Sequence, residues 1–160
     1  MQFTQSMSYP GTVDEVVAMY LTPDYLERCF GRFVVEGSTT VSVEGERVSY
    51  AGTVRPELIP AAATRFVKSD LRVTFTEEWT LNEAEATSRT SVTVDGAPVS
   101  VEATSTLTPS DAGSAREVSG NLSVRVPLLG GRIEKEAVAR VGRLTENEQA
   151  SAAQWLEEHR

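Results

Sequence analysis

Glu77 is the residue whose type and position most readily suggest chemistry. It falls in the series Leu71, Val73, Phe75, Glu77, Trp79 and Leu81, alternate residues that share one face of a strand. A carboxylate set among apolar side chains is desolvated, its pKa rises, and it can serve as a general acid or base. The alternative is a strand-end glutamate, exposed or paired with an arginine such as Arg65. Glu78 points to the opposite face, because successive strand side chains alternate. Other reactive types offer less. The single histidine, His159, is the penultimate residue and is expected to be solvated. Cys29 has only Arg28 and Arg32 near it in sequence and reads as a small core residue. One histidine and one distant cysteine make neither a zinc site nor a nucleophilic triad, so no metal and no cofactor are expected. Gly130-Gly131 is followed by Arg132-Ile133 with no Lys-Ser or Lys-Thr, and it reads as a chain turn, not a phosphate loop.

A second set of residues suits recognition. Gln5, Met7, Tyr9, Tyr50, Phe75, Trp79, Ile133, Ala137 and Val141 all fall on the apolar faces of their segments. Aromatic rings supply contact area, and a tyrosine hydroxyl or glutamine amide can orient a ligand. The same residues can equally fill a core.

The elements that must position these groups follow from periodicity. Residues 2–9 alternate as a half-buried strand, ended by Pro10-Gly11. Thr12 and Glu15 have capping-box spacing before a short helix, and Thr22-Pro23 opens another that Gly31 closes. Alternating segments fill the chain from Phe33 to Val126. Phe33, Val35, Thr39, Val41 and Val43 share one face, and Val48 to Val54 return. Pro60 precedes an expected short helix at Ala61–Val67. Leu71–Leu81 reads as a central strand. Asp95-Gly96 marks a hairpin, and Thr108 to Gly113 a further turn. From Arg132 to about Glu158 the pattern is one helix of roughly 40 Å, with Ile133, Ala137, Val141 and Leu144 on its stripe and Ala152, Trp155 and Leu156 continuing it. Helices at the two ends of a strand run give an α+β class with an antiparallel sheet. The long helix must lie across that sheet to bury its stripe, a geometry that leaves room for a pocket.

With 160 residues the chain is expected to form a single domain over 1–160. Apolar content of 40% argues against disorder, and no stretch has the length of a membrane span. The first residues lack a basic and then apolar signal, and one cysteine forbids an internal disulfide, so a cytoplasmic location is expected. A net charge of −8 without any basic stripe speaks against nucleic acid as a partner.

Four stretches together carry a resemblance: Tyr9-Pro10-Gly11-Thr12-Val13-Asp14-Glu15-Val16, Leu21-Thr22-Pro23-Asp24-Tyr25-Leu26, Glu78-Trp79, and Val126-Pro127-Leu128-Leu129-Gly130-Gly131-Arg132-Ile133-Glu134. In this order they resemble the helix-grip fold of the START/SRPBCC superfamily, which includes the birch-pollen allergen family, polyketide cyclases and lipid-transfer domains. They look most like its actinobacterial branch, domain-of-unknown-function family 2505. The resemblance covers the whole chain. It implies a curved antiparallel sheet of about seven strands wrapped around the long C-terminal helix, two short helices after the first strand, and a hydrophobic cavity. It names no reaction. Three functions follow as expectations. The first is binding of a small hydrophobic or amphipathic ligand, such as a lipid, a polyketide-like molecule or an isoprenoid, between helix and sheet. The second is a cyclase- or dehydratase-like enzyme using Glu77. The third is a protein-interaction module with a filled cavity.

Overall fold

The alternation at the start of the chain makes β1 (Gln2–Tyr9), and Pro10-Gly11 ends it in a computed structural model that describes residues 1–67 and 69–160. The Thr12 hydroxyl accepts the Glu15 N–H at 3.2 Å and starts α1 (Val13–Tyr20), whose Val16, Val17, Met19 and Tyr20 are buried. Pro23 takes the first turn of α2 (Pro23–Phe30) as expected, but the Thr22 hydroxyl does not cap it. It donates back to the Ala18 carbonyl at 2.7 Å, because the chain turns between the two helices with hardly a linker. Gly31 closes the helix as its C-cap, its N–H donating to the Glu27 carbonyl, but in right-handed geometry, so it also opens a 3₁₀ turn, Gly31–Phe33.

A hairpin follows, β2 (Thr40–Glu44) and β3 (Arg47–Thr53), with Gly45 turning it at a φ of 60°. The strand face expected from Phe33 onward is thus shorter than its alternation. Phe33 belongs to the 3₁₀ turn and Val35 is exposed; Val34 forms a single bridge to Val54, and the Val35 N–H donates to the Thr53 carbonyl at 2.8 Å. The helix expected at Ala61–Val67 shrinks to α3 (Ala61–Thr64). Four long strands come next: β4 (Arg72–Leu81), β5 (Ala86–Asp95), β6 (Val99–Ser110) and β7 (Gly113–Val124). β6 runs on through Thr108-Pro109-Ser110, where sequence suggests a turn; only Asp111 and Ala112 connect it to β7.

All pairings are antiparallel, in the order β1-β7-β6-β5-β4-β3-β2. β5 therefore holds the middle of the sheet, and β4, the expected centre, lies one place away with neighbours on both sides. The chain leaves β7 through Leu128, which adopts a left-handed φ of 67°. That residue, and not the two glycines, makes the turn. Gly130 and Gly131 are the first residues of α4 (Gly130–Glu158). Gly130 is required there because a Cβ would collide with the Val124 carbonyl oxygen.

α4 packs on β1 and β7 and on α1 and α2. Its two ends are anchored differently. Ile133 joins Leu122 and Val124 under the first turns, while Ala152, Trp155 and Leu156 pack with Tyr9, Val16 and Tyr25 under the last. Leu144, placed on the stripe by spacing, is instead 44% exposed. No described helix is long and apolar enough to cross a membrane. The architecture is the α+β helix-grip arrangement: a curved seven-stranded antiparallel sheet, two short helices after the first strand, and a long C-terminal helix across the inner face.

Candidate functional site

The inner face of the sheet carries a polar track through an otherwise apolar surface. Strand alternation puts Glu77 of β4, Ser88 and Thr90 of β5, Ser105 of β6 and Arg116 of β7 on that face. Two strands lie between Glu77 and Arg116, and the arginine side chain reaches over both. Its Nε donates to the Ser105 hydroxyl at 3.0 Å and a terminal nitrogen donates to the Ser88 hydroxyl at 3.1 Å. That same nitrogen forms an ion pair with Glu77 Oε1. Ser88 and Thr90 donate to the same carboxylate oxygen at 2.9 and 3.1 Å. Both charged residues are buried, Glu77 at 1% exposure and Arg116 at 5%. Burial pulls the arginine pKa down. The adjacent Glu77 charge, with Tyr20 and Tyr9 behind it, more than reverses this and holds the group well above its ordinary value. The guanidinium carbon also lies 4.8 Å from the ring centroids of both Tyr20 and Trp79, within cation–π range.

Glu77 is therefore not the lone buried acid that alternation suggests. It is half of an ion pair, and its partner is Arg116 rather than Arg65. One of its oxygens is still unclaimed. Oε2 is buried and has no hydrogen-bond partner among the described residues. That matters because an unsatisfied buried acceptor normally costs about 1–3 kcal/mol.

A second polar chain meets the first from the helical side. The Tyr9 and Tyr20 hydroxyls are 2.8 Å apart, and the Tyr20 hydroxyl donates to Glu148 of α4. Burial, followed by the Glu148 charge, pushes the Tyr20 phenol well up, so it stays protonated and serves as a donor. The Glu148 carboxyl is raised as well, first by burial; Arg116 and the Tyr20 hydrogen bond oppose the rise and Glu77 adds to it.

Between the two polar chains lies a cavity of about 170 Å³. Glu77, Thr90 and Arg116 form its sheet-side polar wall; Tyr20, Thr145 and Glu148 face them from the helices. Phe3, Phe30, Phe75, Val101, Val118 and Val141 supply the apolar remainder. Grooves on the outer face of the sheet are larger, one of about 420 Å³ lined by Glu78, Arg89 and Thr104 among others. They run mainly between exposed charged and hydroxyl side chains, so volume is a poor guide here. The inner cavity is where apolar walls meet buried ionisable groups, the usual composition of a ligand site.

The residues singled out from sequence divide in two. Gln5, Met7, Phe75, Val141 and Glu77 line this cavity. Tyr9, Tyr50, Trp79, Ile133 and Ala137 are not among its walls. Tyr9 and Trp79 are core residues, Tyr9 behind Tyr20 and Trp79 beside Arg116. Tyr50 packs with Leu26 and Val48 and donates its hydroxyl to Glu27 at 3.0 Å. Ile133 and Ala137 lie in the cluster under the start of α4. Sequence reasoning missed Arg116, Glu148, Tyr20, Ser88 and Ser105. Cys29 is buried in the main core, and burial pushes its thiol up to about 11, against an activated role. His159 is exposed as expected, yet ordered: its ring stacks on Trp155 at 3.8 Å between centroids.

A family model described as "Protein of unknown function (DUF2505)" matches residues 4–156. An uncharacterized protein of Mycobacterium tuberculosis is 27% identical over 166 aligned residues, covering 96% of this chain and 95% of the relative. Among solved structures, a Thermus thermophilus protein superposes with a TM-score of 0.63 at 15% identity, covering 99% of both chains. Ara h 8.0201 superposes with a TM-score of 0.60 at 11% identity, covering 95% of this chain and 97% of its own. At these identities the likeness is one of fold.

Proposed function

We propose that this chain, which belongs to the DUF2505 family, binds a small amphipathic molecule in the cavity between α4 and the sheet. The observation that carries the reading is the mixed wall: aromatic and aliphatic side chains on most of the surface, with Glu77 and Arg116 on the sheet side facing Tyr20 and Glu148 on the helix side. A ligand with an apolar body and one polar group satisfies both. The volume of about 170 Å³ is below the roughly 300–1,000 Å³ of pockets for drug-sized ligands. The ligand is accordingly compact, closer to a single ring with a short arm than to a long-chain lipid. Placement in the START/SRPBCC superfamily, a single domain over 1–160 and a cytoplasmic setting are parts of the same proposal. Gln5, Met7, Phe75 and Val141 are the ligand contacts it retains from the sequence. A binding role is favoured over the Glu77 enzyme because Glu77 is engaged by Arg116, Ser88 and Thr90.

The test uses a neutral probe, 2-phenylethanol, titrated into the labelled protein and followed by amide NMR shifts. Saturable shifts are expected around β4, β6 and the middle of α4. Val141→Phe, which extends the helix wall into the cavity, is expected to weaken binding about tenfold or more, the loss of roughly 1.4 kcal/mol. Shifts that never saturate, or that saturate equally in Val141→Phe, reject the site.

A further inference from the structure

We propose that the polar group of the ligand is a protonated amine, received by the carboxylates of Glu77 and Glu148 in the wall of the cavity. This rests on the ligand-binding reading above and sharpens it to a chemical class, an ammonium on a compact apolar or aromatic body.

The wall holds three charged side chains, and two are negative. The one cation among the described lining residues, Arg116, is already paired with Glu77. Its Nε serves Ser105, one terminal nitrogen serves Glu77 and Ser88, and it lies beside the Tyr20 and Trp79 rings. The acceptors are not used up in the same way. Glu77 Oε2 is buried without a partner in a residue 1% exposed. Glu148 faces the cavity with the Tyr20 hydroxyl as its hydrogen-bond partner. The two carboxylates are close enough for the charge of Glu77 to act on Glu148. With Glu148 ionised, the site carries one uncompensated negative charge in a half-enclosed, low-dielectric setting, where a counter-charge is worth more than in water.

An ammonium supplies what is missing. It is a cation with three donors and no acceptor. One donor meets Glu148, another is set toward the Glu77 carboxylate, and Phe30 and Phe75 stand in the same wall. A carboxylate ligand would instead bring a third negative charge against two. An alcohol could satisfy one acceptor but would leave the charge of Glu148 unbalanced. The net charge of −8 also raises the local concentration of cations rather than anions.

The experiment compares three probes of one size at pH 7.5: 2-phenylethylamine, 2-phenylethanol and phenylacetate, each titrated calorimetrically. The amine is expected to bind at least about tenfold tighter than the alcohol, as a charge-assisted contact exceeds a neutral one, with phenylacetate weakest. In Glu148→Gln the ratio of amine to alcohol affinity is expected to collapse by about tenfold. Glu102→Gln, which removes the same charge from the outer face of the sheet, is expected to keep the ratio. Alcohol or phenylacetate binding as tightly as the amine overturns the amine assignment while leaving a ligand site. A ratio that falls equally in Glu102→Gln overturns it too, by showing only the overall charge. Saturation by none of the three overturns both this inference and the ligand-binding reading. Should Glu148→Gln fail to fold by circular dichroism, the wild-type ranking alone still decides.

Discussion

Arg116 and Glu77 depend on each other more than the fold depends on the pair. A buried charge whose partner is removed stays buried and uncompensated, whereas removing both partners removes the penalty as well. Arg116→Met is expected to cost about 3–5 kcal/mol in urea denaturation. Arg116→Met combined with Glu77→Leu is expected to cost clearly less than that single change. A double variant as unstable as the sum of its singles would show that the ion pair itself, and not its completion, holds the sheet together. Glu148 gives a pH-dependent counterpart. Its folded pKa is raised, mainly by burial, so the folded state keeps the proton longer than the unfolded chain. The stability due to protonated Glu148 is present below the unfolded value of about 4.3 and is lost as pH climbs through the raised folded value. Glu148→Gln should therefore match the wild type in melting temperature at acid pH and exceed it progressively toward neutrality. A difference that shrinks toward neutrality would contradict the assignment. Of these residues only Glu77 was legible in sequence, because a carboxylate stands out among Phe75 and Trp79. Arg116 has the same parity as Val118, Leu122 and Val124, but a charge near a strand start reads as solvated. Glu148 lies seven residues after Val141 and four before Ala152, on their stripe, yet its neighbours Glu146, Asn147 and Gln149 disguise it as part of a polar stretch.

Elements were more legible than their joints. Long periodic runs such as β4 and α4 average over many side chains, so their type survives a few exceptions. Joints turn on single contacts that sequence does not display. Gly130-Gly131 reads as a turn on glycine's freedom alone. In the fold Leu128 takes the left-handed conformation, and Gly130 is small because α4 starts against the Val124 carbonyl. The glycines of α4 should then respond in opposite ways. Gly130→Ala forces the helix start away from β7 and is expected to destabilise by about 1–3 kcal/mol, the usual cost of overpacking. Gly142→Ala meets nothing within 4 Å and should gain up to about 1 kcal/mol of helix propensity. Urea midpoints of the two variants check both signs. Similar shifts for the pair would mean that the approach of α4 to β7 does not constrain that residue. The same distinction explains β6. Pro109 and Ser110 look like turn residues, but the strand has a partner as far as Gly113, so pairing overrides local preference.

Across the whole molecule, the packing of α4 is uneven in a way that bears on function. Ile133 holds its start against Leu122 and Val124, and Ala152, Trp155 and Leu156 hold its end, with Arg28 bridging to Glu158 at 2.9 Å. Between these anchors Val141, Thr145 and Glu148 face the cavity, and Leu144 is left largely in solvent. A segment with few buried apolar contacts opens locally at a lower free energy than the parts that flank it. The middle of α4 should therefore be the adjustable wall of the site, while the sheet side, fixed by the Glu77–Arg116 track, stays rigid. Hydrogen exchange reads this directly. Amides of residues 141–148 are expected to exchange faster than those of residues 152–156 in the free protein. With 2-phenylethylamine bound they should slow, while amides of β5 and β6 change little. Binding to the native state alone should also raise the melting temperature with probe concentration, by mass action. Uniform protection along α4, with no selective slowing on binding, would mean that the helix is a fixed roof. The cavity would then have to fill through its existing mouth, with no help from α4.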